Sequence, residues 1–249
     1  MNIDGTSILS SWICGEDEVG NAVLTKLAES GNEEAKNKLV AFEAEFSKLK
    51  EEATAGDEEA KIELAALNVE NAENVTENLA FLEQAAQKGD VAANLFLGVI
   101  YSEGVVENVD TQNQKALILM DWKKSDSYLE KAIGLGSILA YSVRGMHTFL
   151  HCCCLCSQDE ENDFEKTMGA PVAQDFLDGE KFLLEFIALK DDKALDEEKR
   201  AYVNGHLEMF ASWLSALYEC EDPVSPIYNQ DKALEWTKKQ KEFKKEFGD

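Results

Sequence analysis

Apolar residues recur along this chain at helical spacing. Between Leu195 and Tyr218 they fall at 203, 207, 210, 214 and 217, in steps of four and three. That spacing places them on one face of a 3.6-residue helix. Phe176 to Leu189 carries apolar residues at 176, 177, 182, 183, 186, 187 and 189, the broad stripe of a core-facing helix. Pro223 and Pro226 close the 195–218 segment, because proline removes a backbone donor and clashes with the preceding turn. Ala, Leu, Glu and Lys dominate, and all four lose little side-chain freedom in a helix. No useful length alternates apolar with polar residues. The pattern predicts an all-α chain without a sheet.

A motif recurs within this helical background. It reads Leu24-x6-Gly31-Asn-x2-Ala35, Leu49-x6-Gly56-Asp-x2-Ala60, Leu82-x6-Gly89-Asp-x2-Ala93 and Leu129-x6-Gly136-Ser-x2-Ala140. In the first three copies a leucine follows eight residues after the glycine, at Leu39, Leu64 and Leu97; the fourth has Arg144 there. Leu82 and Ala86, four apart, share a helix face. The glycine suits the left-handed position that ends a helix. The Asn, Asp or Ser after it suits the N-cap of the next helix. Each copy therefore predicts a helix, a tight turn and a second helix, with the alanine allowing close approach.

The stretch Ala85-Ala86-x2-Gly89-Asp90-x2-Ala93-x3-Leu97-Gly98-x2-Tyr101-x2-Gly104 resembles a Sel-one-like repeat, a relative of the tetratricopeptide repeat. A looser copy runs Asp121-Trp122, Tyr128-Leu129-x2-Ala132, Gly136-x3-Ala140, and Asn229-Gln-Asp-Lys232-Ala233-x2-Trp236 resembles the start of another unit. The resemblance covers residues 79–145. It implies an α-solenoid-like stack of antiparallel helix pairs, with small residues where helices cross and the tyrosine packed into the next unit. Leu82, Ala86, Gly89, Ala93, Leu97, Gly98, Tyr101 and Gly104 are then structural residues of the repeat.

The glycines stand 25, 33 and 47 residues apart. A full unit of this type needs roughly 34 residues or more, so the first step holds one long helix, from about Glu33 to Ala53. The last step carries extra residues after Gly104. Val105 to Gln114 is mostly polar and reads as an enlarged loop, and Asp159 to Gly169 as a loop between helical lobes. The expected organisation is a repeat region over 1–145 and a C-terminal helical region over 146–249, either packed on the repeats or forming a helical bundle of its own.

Charge narrows the partners. With 24 Lys and Arg against 49 Asp and Glu, the net charge is −25. Such a surface cannot neutralise phosphates, which excludes nucleic acid and anionic lipid as expected partners. It attracts basic proteins and speeds their encounter. The acids cluster: residues 1–78 hold 18 acids and 6 bases, whereas the tail from Lys232 holds 6 bases and 4 acids. Candidate partner-binding residues are Glu33, Glu34, Asp57, Glu58 and Glu59 at the first two corners, and Asp159, Glu160, Glu161 and Asp163 in the acidic loop. The alternative is that these charges only keep the chain soluble.

The first basic residue is Lys26, so no positively charged leader precedes an apolar run. No apolar run approaches the ~20 residues of a membrane span. Four of the six cysteines crowd at 152–156, unlike a secreted disulfide framework. The expected compartment is the cytoplasm.

The one unusual chemical motif is His147-Thr-Phe-Leu-His151-Cys-Cys-Cys-Leu-Cys156. Two histidines four apart on a helix suit a metal, which makes His147, His151 and Cys154 candidate ligands. A closed zinc site draws its ligands from two segments, and no second Cys-x2-Cys pair exists. The expectation is therefore that Cys152, Cys153, Cys154 and Cys156 are reduced and packed in a core, with a metal site as the alternative. A cysteine nucleophile beside His151 or His206 would need a positioned base. Phosphate-loop, dinucleotide, nucleophile-elbow and zinc-protease motifs are all missing. The lysine-rich run from Lys238 to Lys245 suits a helix C-terminus. Trp12, Trp122, Trp213 and Trp236 are core candidates.

These readings converge on a non-enzymatic, cofactor-free module that binds a basic protein through acidic helical surface. Charge and size point to a cytosolic immunity protein that occludes a toxin or effector domain. Two alternatives stand beside it: an adaptor or scaffold with no toxin partner, and a small metal-dependent enzyme centred on the His/Cys cluster. The oligomeric state is left open.

Overall fold

The computed structural model describes residues 28–107, 115–154 and 171–248. It divides into two compact units, Met1–Ala140 and Tyr141–Asp249. The described residues are mostly helical.

In the first unit the helices are α1 (Glu33–Ala55), α2 (Glu58–Glu70), α3 (Val75–Gln87), α4 (Val91–Glu103) and α5 (Trp122–Gly134). Each packs on the next in the chain, and α2 also packs on α4. The long helix expected between the first two glycines is α1.

The corners between these helices form by a double cap. Gly56, Gly89 and Gly136 have φ of 102°, 87° and 100°, the left-handed region that glycine enters without a Cβ clash. At each corner two N–H groups reach back to the preceding helix. Gly89 N–H donates to the Ala86 carbonyl at 3.0 Å and Asp90 N–H to the Ala85 carbonyl at 3.2 Å. Gly56 with Asp57, and Gly136 with Ser137, repeat the arrangement. The residue after the glycine then caps the next helix. Asp57 Oδ1 accepts from Ala60 N–H at 3.0 Å, Asp90 Oδ1 from Ala93 N–H at 2.8 Å, and Ser137 Oγ from Ala140 N–H at 3.2 Å. Asn32 serves Ala35 likewise at 3.0 Å. The recurring alanine is therefore both the capped donor and a small buried residue: Ala35, Ala60, Ala93 and Ala140 are all in the core.

One corner lacks this signature. After α2 the chain turns through Ala72 at φ 59° and Asn74 at φ 47°. Ala72 N–H donates to the Val69 carbonyl at 3.0 Å and Glu73 N–H to the Asn68 carbonyl at 2.7 Å. The hydrogen bonds match those of the glycine corners, with alanine in the strained position.

Helix α4 packs closely on both α3 and α5. Leu82, Ala93 and Leu97 are inaccessible to solvent. A Cβ at Gly98 would fall 2.6 Å from the Leu129 side chain, so α4 and α5 approach as closely as a glycine allows. Tyr101 stacks on Tyr128 of α5, with ring centroids 5.9 Å apart and planes 7° from parallel. Its hydroxyl accepts from Lys124 Nζ at 2.6 Å, and Lys124 also pairs with Glu83 of α3 at 3.3 Å.

The segment after α4 corrects the expectation of a sheetless chain. Strands β1 (Val105–Glu107) and β2 (Lys115–Ile118) pair antiparallel, Val105 opposite Ile118 and Glu107 opposite Lys115, with an irregularity between Val105 and Val106. The start of the supposed loop and the residues just after it thus pair as a short hairpin. Val105 and Ile118 are buried, and that burial drives two stretches too short to alternate visibly into a ladder. At Gly104, φ is 70° and a Cβ would fall 2.8 Å from the Ile118 carbonyl oxygen, so glycine is required where the hairpin leaves α4. The chain returns through Asp121 N–H donating to the Tyr101 carbonyl at 2.8 Å and Trp122 Nε1 donating to the Ser102 carbonyl at 3.0 Å.

The second unit begins within α6 (Leu139–Phe149), which runs into a π-helical turn, Leu150–Cys154. It continues through α7 (Ala173–Ala188), a 3-10 turn (Leu189–Asp191), α8 (Glu197–Glu219) and α9 (Gln230–Phe247). The two stripes read from the sequence are α7 and α8, and α8 packs on both α7 and α9. Phe186 of α7 stacks on Phe210 of α8 at 3.7 Å. A Cβ on Gly145 would fall 2.8 Å from the Trp213 ring. Helix α9 docks through buried Ala233 and Trp236, with Ser215 Oγ donating to the Ala233 carbonyl at 2.9 Å. At one end Tyr218 donates its hydroxyl hydrogen to Glu180, which also pairs with Lys232 at 3.1 Å. Burial and that hydrogen bond push the Tyr218 phenol well above its ordinary range. Trp122 and Trp236 are buried and Trp213 is half-buried; Trp12 lies outside the described residues.

Candidate functional site

The acidic candidates at the first two corners follow from helix capping. Glu33 and Glu34 open α1 and Glu58 and Glu59 open α2, where negative charge complements the helix dipole. All four are exposed, as is Asp57. Glu33 pairs with Lys36 at 2.6 Å, Glu34 with Lys38 at 3.9 Å and Glu58 with Lys61 at 2.5 Å. These are exposed pairs within one helix, worth about 0.3–0.5 kcal/mol each. They soften the surface without cancelling it.

Glu59 differs from its neighbours. Partial burial raises its carboxyl above the usual glutamate range, and the charges of Asp57, Glu63 and Asp90 raise it further. Glu63 stands one turn along α2 and is buried, while Asp90 is the N-cap of α4. Because α2 packs on α4, the charge of Asp90 at the Gly89 corner reaches Glu59 at the Gly56 corner. The structure thus draws Asp57, Glu59, Glu63 and Asp90 into one field, and leaves Glu33 and Glu34 on the corner before. Asp159, Glu160, Glu161 and Asp163 lie outside the described residues.

Sequence reasoning missed Glu63 and Asp90 as members of this group. Asp90 was visible as a cap, in the same motif position as Asp57. Only the α2–α4 packing shows that the two share a surface. A second pair of carboxylates was missed at the far end of the same helices. Glu70 closes α2 and Glu103 closes α4. Burial, and then the charge of Glu103, push the half-buried Glu70 carboxyl up to about 8.

The His/Cys motif lies in the second unit and departs from the helix imagined for it. Helix α6 ends at Phe149, and His151 sits in the π-helical turn. A π turn carries one residue more than an α turn, so the four-residue spacing of His147 and His151 no longer implies a shared α-helical face. His147 is buried in the core. His151 Nε2 lies 3.2 Å from Asp175 Oδ2, which also accepts from Val172 N–H at 2.7 Å at the start of α7. Among the described residues no group of three or more His, Cys, Asp or Glu side chains could hold a metal ion. Burial and the nearby Asp175 push the Cys152 thiol up to about 12, the reverse of what a nucleophile needs. The side chains of Cys154 and Cys156 lie outside the described residues.

No helix among the described residues is long and apolar enough to cross a membrane. Comparison with protein-family models, curated proteins and solved structures finds no match to this chain.

Proposed function

We propose that this chain is a non-enzymatic binding module which docks a basic protein on the acidic surface of its first unit. The observation that carries this reading is the coupling of Glu59 to Asp57, Glu63 and Asp90. After burial, the charges of acids on two packed helices raise the proton affinity of Glu59, and a cationic side chain placed beside it would relieve that repulsion. Stacked corners of this kind favour an α-solenoid of Sel-one-like pairs. The left-handed glycines, the Gly98–Leu129 contact and the Tyr101–Tyr128 stack support that assignment.

The role we infer is that of a cytoplasmic immunity protein that occludes a toxin or effector domain. It rests on the charge of −25. Capture from native cells, followed by expression of the captured protein alone and together with this chain, tests it. Growth arrest by the partner that co-expression relieves is the expected outcome. A basic partner that is harmless alone would favour an adaptor role. In the same binding assay, reversal of Glu58 and Glu59 to lysine should slow association and leave the helical fold intact, because exposed charges contribute little to stability. Unchanged association in that variant would remove this surface from the interface.

A further inference from the structure

The binding reading leaves the crowded cysteines unused, and the structure places one of them beside a cysteine from a distant part of the chain. Cys152 lies in the π-helical turn and Cys220 immediately follows α8, 68 residues away. The Cys220 thiol donates to the Cys152 carbonyl oxygen at 3.3 Å. Both side chains are buried, Cys152 to 1% exposure and Cys220 to 8%. The π-helical turn packs on α8, so the two backbones are held together by more than the thiols.

We propose that Cys152 and Cys220 are a redox latch, which closes as a reversible disulfide between the π-helical turn and the end of α8. The oxidant is a small-molecule disulfide such as glutathione disulfide. The thiolate of Cys220, the more accessible of the two, attacks one glutathione sulfur, forming a mixed disulfide and releasing one glutathione thiolate. The thiolate of Cys152 then attacks the Cys220 sulfur and releases the second. Two protein thiols lose two protons and two electrons, and one glutathione disulfide becomes two glutathione thiols.

The resting state of the latch is the dithiol. The Cys152 thiol is pushed up to about 12, so its thiolate is scarce at neutral pH and closure is slow. Burial adds a second gate, because the oxidant enters only when the turn opens locally. The π-helical turn is the element suited to such opening: its hydrogen-bond geometry is less regular than an α-helix's, and π turns recur at functional positions. Once formed, the bond would restrain a segment that the unfolded chain otherwise leaves free, and so raise thermal stability.

The test uses the full chain. The protein is incubated in glutathione buffers from reducing to oxidising, alkylated, digested with trypsin and analysed by mass spectrometry. Cleavage after Arg144, Lys166, Arg200 and Lys232 puts Cys152 and its three neighbours in one peptide and Cys220 in another. The expected product is a cross-link of these two peptides that tandem fragmentation assigns to Cys152. It should persist in Cys153→Ser, vanish in Cys220→Ser, and accompany a rise in melting temperature that dithiothreitol reverses. Fragmentation of the wild-type product makes the assignment even where a variant folds poorly. No cross-link under oxidising buffer, or one assigned to Cys153, Cys154 or Cys156, would overturn the proposal. Neither result touches the binding reading.

Discussion

Ser125 Oγ donates to the Gly98 carbonyl oxygen at 2.5 Å, bridging α5 to α4 where the two helices come closest. The Leu129 side chain, one turn further along α5, occupies the space that a Cβ on Gly98 would need. Gly98→Val should therefore cost roughly 1–3 kcal/mol by overpacking. Urea denaturation should show a lower midpoint with an unchanged slope. A midpoint equal to wild type would mean that α4 and α5 do not meet at Gly98.

Ala72 offers the opposite experiment. Its φ of 59° holds a left-handed conformation that costs an L-residue about 1–2 kcal/mol. Ala72→Gly relieves that strain and gives up a half-buried methyl, so a net gain of somewhat under about 1 kcal/mol is expected. Gly89→Ala imposes the same strain where φ is 87° and the space around it is open, and it should lose about 1 kcal/mol. Thermal melts of the two variants should move in opposite directions; a shared direction would contradict the backbone geometry of one corner.

These two corners show what the sequence could and could not reveal. Gly31, Gly56, Gly89 and Gly136 were legible because capping is local: the glycine, the capping side chain and the capped alanine lie within five residues. The Ala72 corner makes the same hydrogen bonds without glycine, and so left no mark. The hairpin was illegible for another reason. Val105 and Ile118 acquire their pairing from burial in the core of the first unit, across a polar stretch that reads as loop. The α2–α4 packing that couples Glu59 to Asp90 is likewise non-local. The His151–Asp175 contact depends on a π turn that no residue pattern announces.

Glu70 gives the first unit a definite pH dependence. Its folded value of about 8 stands above the ordinary glutamate value of 4.5. Below pH 4.5 the carboxyl is protonated in both folded and unfolded chains and contributes nothing. Between 4.5 and 8 the unfolded chain releases the proton while the folded chain retains it, so this group's contribution to stability falls as pH rises. Above 8 the loss is complete. Glu70→Gln should match wild type near pH 4, melt increasingly higher than it as pH rises to 8, and keep a constant advantage above that. A constant offset across that range would mean that Glu70 is solvated like an ordinary carboxylate.

The most direct measurement of the central claim is the association rate with the captured partner, followed over a range of salt concentrations. Exposed charges are screened beyond about 10 Å at 0.1 M salt. Steering by the field around Asp57, Glu58, Glu59 and Asp90 should therefore give fast association at low salt that falls steeply as salt rises. The dissociation rate should change far less, because it reports buried contacts. A basic partner with that profile would support electrostatic docking. A neutral or acidic partner, or an association rate indifferent to salt, would contradict it.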